Sequence, residues 1–206
     1  MAVDFAAAQT YALERITHDV PVHFCYHGVA HTRDDVLPAA VRLGECYELG
    51  ADEMLLVQTA ALFHDIGFVA DAETHEAVSA AVAGEMLPRW GYSAEQIAII
   101  QQMIRATRLP QSPTTLLDEI LCDADLEVLG RADFLSHNLL LYAEMYGRGK
   151  RVGLATWYVD QADFLRTHRY HTEAARLLCR SQKQRNVNIL ETLATRAYST
   201  NDASAR

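Results

Sequence analysis

The apolar run Leu55-Leu56-Val57-Gln58-Thr59-Ala60-Ala61-Leu62-Phe63 ends in His64-Asp65, which places an imidazole and a carboxylate where a core should be. A carboxylate buried without partners costs several kcal/mol or gives up its charge. The pair therefore calls for an ion partner, a hydrogen-bond network or a bound cation, and only the cation also predicts function. The dipeptide alone is weak evidence in a chain with 9 histidines, and a second pair, His18-Asp19, is present. That pair precedes Val20-Pro21, where a helix should stop, and reads as an exposed terminus. His64-Asp65 differs in its apolar surroundings and in Gly67, which can end the helix and turn both side chains toward a shared cavity.

With 206 residues, 50% of them hydrophobic, the chain can bury a substantial core, and one domain is expected. Its sequence has no apolar stretch near the roughly 18 residues that would span a bilayer. The first residues, Met1-Ala2-Val3-Asp4-Phe5, lack the basic-then-apolar order of a signal peptide, so a cytoplasmic location is expected and no membrane partner. Cys25, Cys46, Cys122 and Cys179 are scattered without metal-site spacing and read as reduced, mostly buried thiols. A formal net charge of -9 argues against general nucleic-acid binding. The charge is unevenly spread, since half of all Lys and Arg lie between Arg148 and Arg185. These form either a solvated basic helix face or a local attraction for an anionic substrate or partner.

Helical periodicity, abundant Ala and Leu and the lack of β-branched alternation predict an all-α bundle. The expected helices run over residues 4–17, 28–49, 52–64, 75–90, 94–107, 115–129, 132–146, 154–166 and 172–198, and Pro38 should kink or divide the second. Asp52 and Ser93 are expected N-caps, each preceded by a glycine break. Residues 1–198 would form a single domain and residues 199–206 a frayed tail.

A divalent metal needs nitrogen and oxygen ligands converging from rigid elements, and separate helices offer them here. His27 and His31 are four apart and share a face if the stretch is already helical; alone they are a solvated or capping feature or a ligand set. In Cys122-Asp123-Ala124-Asp125-Leu126, Asp125 has apolar neighbours three and four residues away and is the better inward candidate. Asp123 would lie behind it, cap, or face solvent. His75-Glu76 follows one short loop later, where Thr74 can cap a helix and Glu76 can favour its dipole. The pair could instead contact water, phosphate or a second ion. The His168-Arg169-Tyr170-His171-Thr172 cluster reads as local turn structure with Thr172 as an N-cap, or as a lining for the mouth of the pocket, and Trp157 and Tyr158 as core sooner than as a base-stacking pair.

The order His…His-Asp…Asp resembles the HD-domain metal-dependent phosphohydrolase superfamily. The likeness is closest to small stand-alone members with Tyr-His-x-x-x-His, Phe-His-Asp-Ile-Gly and Asp-Ala-Asp-Leu-x-x-Leu-Gly strings, present here from Tyr26, Phe63 and Asp123. The resemblance implies that His31, His64, Asp65 and Asp125 hold one divalent ion, Mn, Mg, Fe, Co or Ni, with positions left for water. It implies an all-α HD fold and attack of metal-activated water on a small phosphorylated substrate, a nucleotide or related phosphoester leading. Asp65 would orient the water, and His75 or Glu76 would assist proton transfer, making these three the expected catalytic residues. His27, Arg105 and Arg108 are candidate substrate contacts. Family members with two metals carry further histidines in the helix around Ile104, where this chain reads Met103-Ile104-Arg105-Ala106-Thr107-Arg108, so one metal is expected. The same gap speaks against a di-iron oxygenase. The alternative from another class is a metal-binding regulatory or nucleotide-sensing HD domain without turnover.

Overall fold

The computed structural model describes residues 2–69 and 73–204. Among these there is no strand, and the α-helices are α1 Phe5–Asp19, α2 Leu37–Cys46, α3 Ala51–Phe63, α4 His75–Met86, α5 Ala94–Ala106, α6 Leu116–Asp125, α7 Phe134–Gly147, α8 Leu154–Thr167 and α9 Glu173–Ser204. The expected all-α class is therefore the observed one. The helices gather into two compact units, residues 1–127 with α1 to α6 and residues 128–206 with α7 to α9. Of the expected loop and tail, residues 70–72 and 205–206 lie outside those described. No described helix is long and apolar enough to cross a membrane.

In the first unit α3 is the central helix, packed by α1, α2, α4, α5 and α6. Leu56, Val57, Ala60, Ala61, Leu62 and Phe63 are all buried, so its apolar character extends around the helix. Thr59, equally buried, is satisfied by donating to the Leu55 carbonyl at 2.7 Å and sharing a hydrogen bond with the Tyr92 hydroxyl at 2.7 Å. The expected Asp52 cap is not observed. Gly50 takes the N-cap position and its N–H donates to the Glu53 carboxylate at 3.2 Å, while Asp52 lies inside the first turn. At α5 the expected Ser93 cap is present as a reciprocal pair, with the Gln96 N–H donating to Ser93 Oγ and the Ser93 N–H to Gln96 Oε1.

Three breaks shape the site. Pro38 has no N–H for the carbonyl four residues back. The chain accommodates it with a π-helical segment, His31–Val36, that runs into α2 with helical dihedrals at the junction residues Val36 and Leu37; the Leu37 N–H reaches the Thr32 carbonyl five residues back. The expected division at Pro38 thus takes the form of a change in helix winding, and it carries His31. The second break follows α3, where His64 ends the helix and the chain tightens into a 3-10 turn, Ile66–Val69. Gly67 acts there by close approach and not by a left-handed turn, since the positive-φ glycines are Gly91 and Gly149. A Cβ on Gly67 would collide with the His75 carbonyl and lie 2.8 Å from Ser79 N. The Gly67 N–H instead donates to Ser79 Oγ at 2.9 Å, which seats the first turn of α4, with His75 and Glu76, against Asp65. Thr74 precedes α4 without a side-chain cap bond, because its φ of -127° and ψ of 22° are not the extended conformation that lets a hydroxyl reach back. The third break ends α6 at Asp125, four residues earlier than expected, and a 3-10 turn, Glu127–Gly130, follows.

In the second unit α8 packs along α9. Trp157 and Tyr158 are core residues as expected, and the Trp157 indole N–H donates to Asn138 Oδ1 at 2.9 Å. The Ala175 N–H donates to Thr172 Oγ1 at 3.2 Å, so Thr172 caps α9. Of the cysteines expected to be mostly buried, Cys122 and Cys179 are buried and Cys25 and Cys46 exposed. Cys46 is the last residue of α2, where the helix leaves the core.

Replacing Gly67 with Ala is expected to cost about 1–3 kcal/mol, because overpacking against backbone cannot be relieved by a rotamer change. Gly153→Ala, with nothing within 4 Å of the added carbon, should stay within about 0.5 kcal/mol of the parent. Urea unfolding of the two variants measures both.

Candidate metal centre

His31 opens the π segment, His64 and Asp65 follow the last residue of α3, and Asp125 is the last residue of α6. These segments bring together all four residues of the expected ligand set. Asp125 Oδ1 lies 3.2 Å from His31 Nε2 and 3.5 Å from His64 Nε2. Asp65 Oδ2 lies 3.2 Å from His64 Nε2 and 3.6 Å from His31 Nε2. One ligand atom each from His31, His64 and Asp65 falls within a 4.8 Å group that could hold a metal ion. His31, His64 and Asp65 are buried, at 3%, 1% and 4% exposure, while Asp125 is partly open.

The local chemistry calls for positive charge at the middle of this group. His64 Nδ1 lies 2.8 Å from the Ala61 carbonyl, an acceptor, so Nδ1 carries a proton and Nε2 turns toward the carboxylates. There Nε2 must hold a second proton or offer its lone pair to a cation. His64 Nε2 and Asp65 Oδ2 are both buried without a hydrogen-bond partner. Burial opposes an imidazolium at His64, yet Asp65 and Asp125 outweigh it and raise its pKa well above the ordinary value. Burial alone would likewise raise Asp65 and Asp125, but the facing histidines hold both well below the usual carboxylate range. Orphaned buried donor atoms, two imidazole nitrogens and carboxylate oxygens are a donor set that fits a borderline or hard divalent ion.

The remaining expected residues divide by place. His75 Nε2 lies 3.5 Å from Asp65 Oδ1 and 3.6 Å from Glu76 Oε1. Glu76 is buried, and its Oε2 has no hydrogen-bond partner. Glu76 lies in the first turn of α4, where the helix dipole favours its charge as expected, but it is buried. His27 precedes the helix, with its ring 5.9 Å from that of His31. Arg105 and Arg108 are exposed on or just beyond α5 and make no side-chain contact with the cluster. Asp123 is fully buried, so solvent exposure is ruled out for it.

Two neighbours were not singled out from the sequence. Phe68 stacks on His75 at 4.0 Å and on His27 at 4.4 Å, an aromatic wall that holds both rings beside Asp65. Asp35 Oδ2 lies 3.9 Å from His31 Nδ1, on the side away from the other carboxylates. The signals were present as an aromatic three residues after Asp65 and an acid four after His31.

Residues 36–127 match the HD domain family model, and the match ends where the first compact unit ends. The chain therefore carries an HD domain over that segment. Its fold is similar to that of a predicted HD superfamily hydrolase from an uncultured Thermotogales bacterium, with a TM-score of 0.62 and 22% identity over 93% of this chain and 91% of that one. It is also similar to a Lactobacillus plantarum protein, with a TM-score of 0.69 and 17% identity over 95% of this chain and 97% of that one. No curated protein matches the sequence.

The cluster should leave a pH signature in metal-free protein. The raised pKa of His64 contributes stability that is fully present below its unfolded value of about 6.5 and is lost as pH rises through the folded value. The lowered pKa values of Asp65 and Asp125 contribute stability that is present above about 3.8 and is lost as pH falls toward their folded values. Urea midpoints should therefore peak between about pH 4 and 6.5 and decline above it. Added Mn²⁺ should reverse the decline by taking the proton's place. His64→Gln protein should show neither effect; if it declines like the parent, the cluster is not the source.

Proposed function

We propose that the chain is a metal-dependent phosphohydrolase that acts on a small phosphorylated molecule, a nucleotide or related phosphoester being the leading class, in the cytoplasm. The observation that carries this reading is the convergence of His31, His64, Asp65 and Asp125 around buried donor atoms that lack partners. The description of the Thermotogales neighbour as a predicted HD superfamily hydrolase supports hydrolysis as the reaction class. One divalent ion held by those four residues would supply Lewis acidity to a phosphoryl oxygen and acidify a water nucleophile.

The protein's own groups supply the rest. Asp65 has two faces. Its Oδ2 belongs to the cluster and its Oδ1 faces His75, so the carboxylate orients the attacking water while staying coupled to the imidazole. His75 in turn lies between Asp65 and Glu76, and this row can carry the proton released during attack away from the reacting phosphorus. Burial of Glu76 without a partner for Oε2 leaves that oxygen available to accept it. Phe68 keeps the His75 ring in place by stacking, and His27, stacked on the same Phe68, would meet the phosphate.

Purified protein should retain about one divalent ion per chain on elemental analysis and, with Mn, Mg, Co or Ni, release phosphate from members of a nucleotide and sugar-phosphate panel. Asp65→Ala should lose both metal and turnover. Glu76→Gln should keep the metal and lower kcat by about 10²- to 10⁴-fold, the usual range for a group that transfers a proton. Metal uptake with no hydrolysis of the panel or of a generic phosphodiester would sink the enzyme reading and leave a metal-dependent sensor.

A further inference from the structure

The second unit holds a cavity of about 510 Å³, a volume suited to a small molecule, between the end of α8 and the first half of α9. Its charged lining is entirely cationic, from Arg166, Arg169, Arg176, Arg180 and Lys183, in a chain whose formal net charge is -9. These residues belong to the basic half-share of the sequence that the proposed hydrolytic site does not use.

The side chains differ in what already holds them. Arg166 is neutralised by Asp163 and Glu191. Arg169 donates to the His168 carbonyl at 2.8 Å and Arg176 Nε to the Thr172 carbonyl at 3.0 Å. Main-chain carbonyls orient these two guanidinium groups without cancelling their charge, and among the described residues no carboxylate pairs with either. Arg180 is exposed and has no side-chain partner among the described residues. Lys183 donates to the His168 carbonyl at 2.7 Å and to His168 Nδ1 at 2.8 Å.

That last bond settles the protonation of His168. An ammonium has only donors, so Nδ1 accepts and the ring proton sits on Nε2. Burial, followed by the charge of Lys183, pushes the His168 pKa down to about 3, which keeps the ring neutral. Nε2 is buried without a hydrogen-bond partner, a donor with nothing to donate to. The cavity therefore combines oriented guanidinium groups and an ammonium beside the buried His168 ring, and its charged lining offers no acceptor to repel an anion. A phosphate group, with three acceptor oxygens and up to two negative charges, is the complement of that arrangement.

We propose that this cavity is a second site, independent of the metal centre, for a phosphorylated small molecule, with Arg169, Arg176, Arg180 and Lys183 as its donors. It goes beyond the hydrolytic reading and does not depend on it.

The test is calorimetric titration of the full chain, stripped of metal and kept in EDTA, with orthophosphate, pyrophosphate and AMP. One saturable site per chain is expected, and Asp65→Ala should leave it in place. Arg180→Gln, at an exposed side chain without partners, should weaken it about tenfold or more, as should Arg176→Gln. Arg180→Lys should recover part of the loss. AMP binding tighter than orthophosphate identifies an ester-borne phosphate as the ligand, and equal binding identifies the anion itself; both support the site. Absence of binding in EDTA, equal binding by the Arg180→Gln protein, or loss of binding in the Asp65→Ala protein would each overturn it.

Discussion

Two carboxylates face two imidazoles across a space of 3.2 to 3.6 Å at the buried end of α3, and the first compact unit is arranged around the charge this creates. Asp65 is too buried to be stabilised by water, so its ionised form depends on positive charge nearby. The proton on His64 Nδ1 is committed to the Ala61 carbonyl, which leaves Nε2 to supply or receive that charge. Protonation of His64 and binding of a divalent ion are two answers to one electrostatic demand, and they exclude each other at the same nitrogen. The same carboxylates that raise the His64 pKa are thus the ones that favour a metal when protons are scarce.

Holding such a cluster requires backbone devices more than side-chain packing. The π segment places His31 on a helix whose regular winding Pro38 interrupts, and π segments of this kind often sit at functional sites. Gly67 lets the start of α4 come into contact with the turn after Asp65, at a separation that no side chain could occupy. The early end of α6 leaves Asp125 at a terminus, where its carboxylate can reach two histidines from different segments. Each device is a local departure from regular helix, and each delivers one or more of the polar groups.

The helical class and the His64-Asp65 position were legible because both rest on patterns of adjacent residues: apolar periodicity, and a polar pair ending an apolar run. The choice of Asp125 over Asp123 as a partner of the histidines was legible from neighbours three and four residues away, although both aspartates are more buried than a surface helix would have them. What escaped depended on contacts between distant segments. Phe68 packs against two histidines that come from either side of it in sequence, and Glu76 is buried by the close approach at Gly67, so neither environment is written in the local pattern. Caps failed for a similar reason: Thr74 and Asp52 have the right chemistry, but the conformation and start of their helices are set by what the helices pack against.

The two proposed sites would meet a phosphate in opposite ways. At the metal centre the two carboxylates are met by imidazoles, and a bound cation in place of the His64 proton would supply the added positive charge that a phosphoryl oxygen needs. In the cavity beside α9 the protein's own guanidinium and ammonium groups provide the positive potential, and no ion is needed. Carboxylates with a cation can activate water as well as bind, because the ion has ligand positions that the protein does not fill. A ring of donors can bind and orient an anion but holds no nucleophile and no group poised to accept its proton, His168 being neutral with its acceptor nitrogen already taken by Lys183. The chemistry proposed for the two places therefore differs in kind, catalysis at the first and recognition at the second.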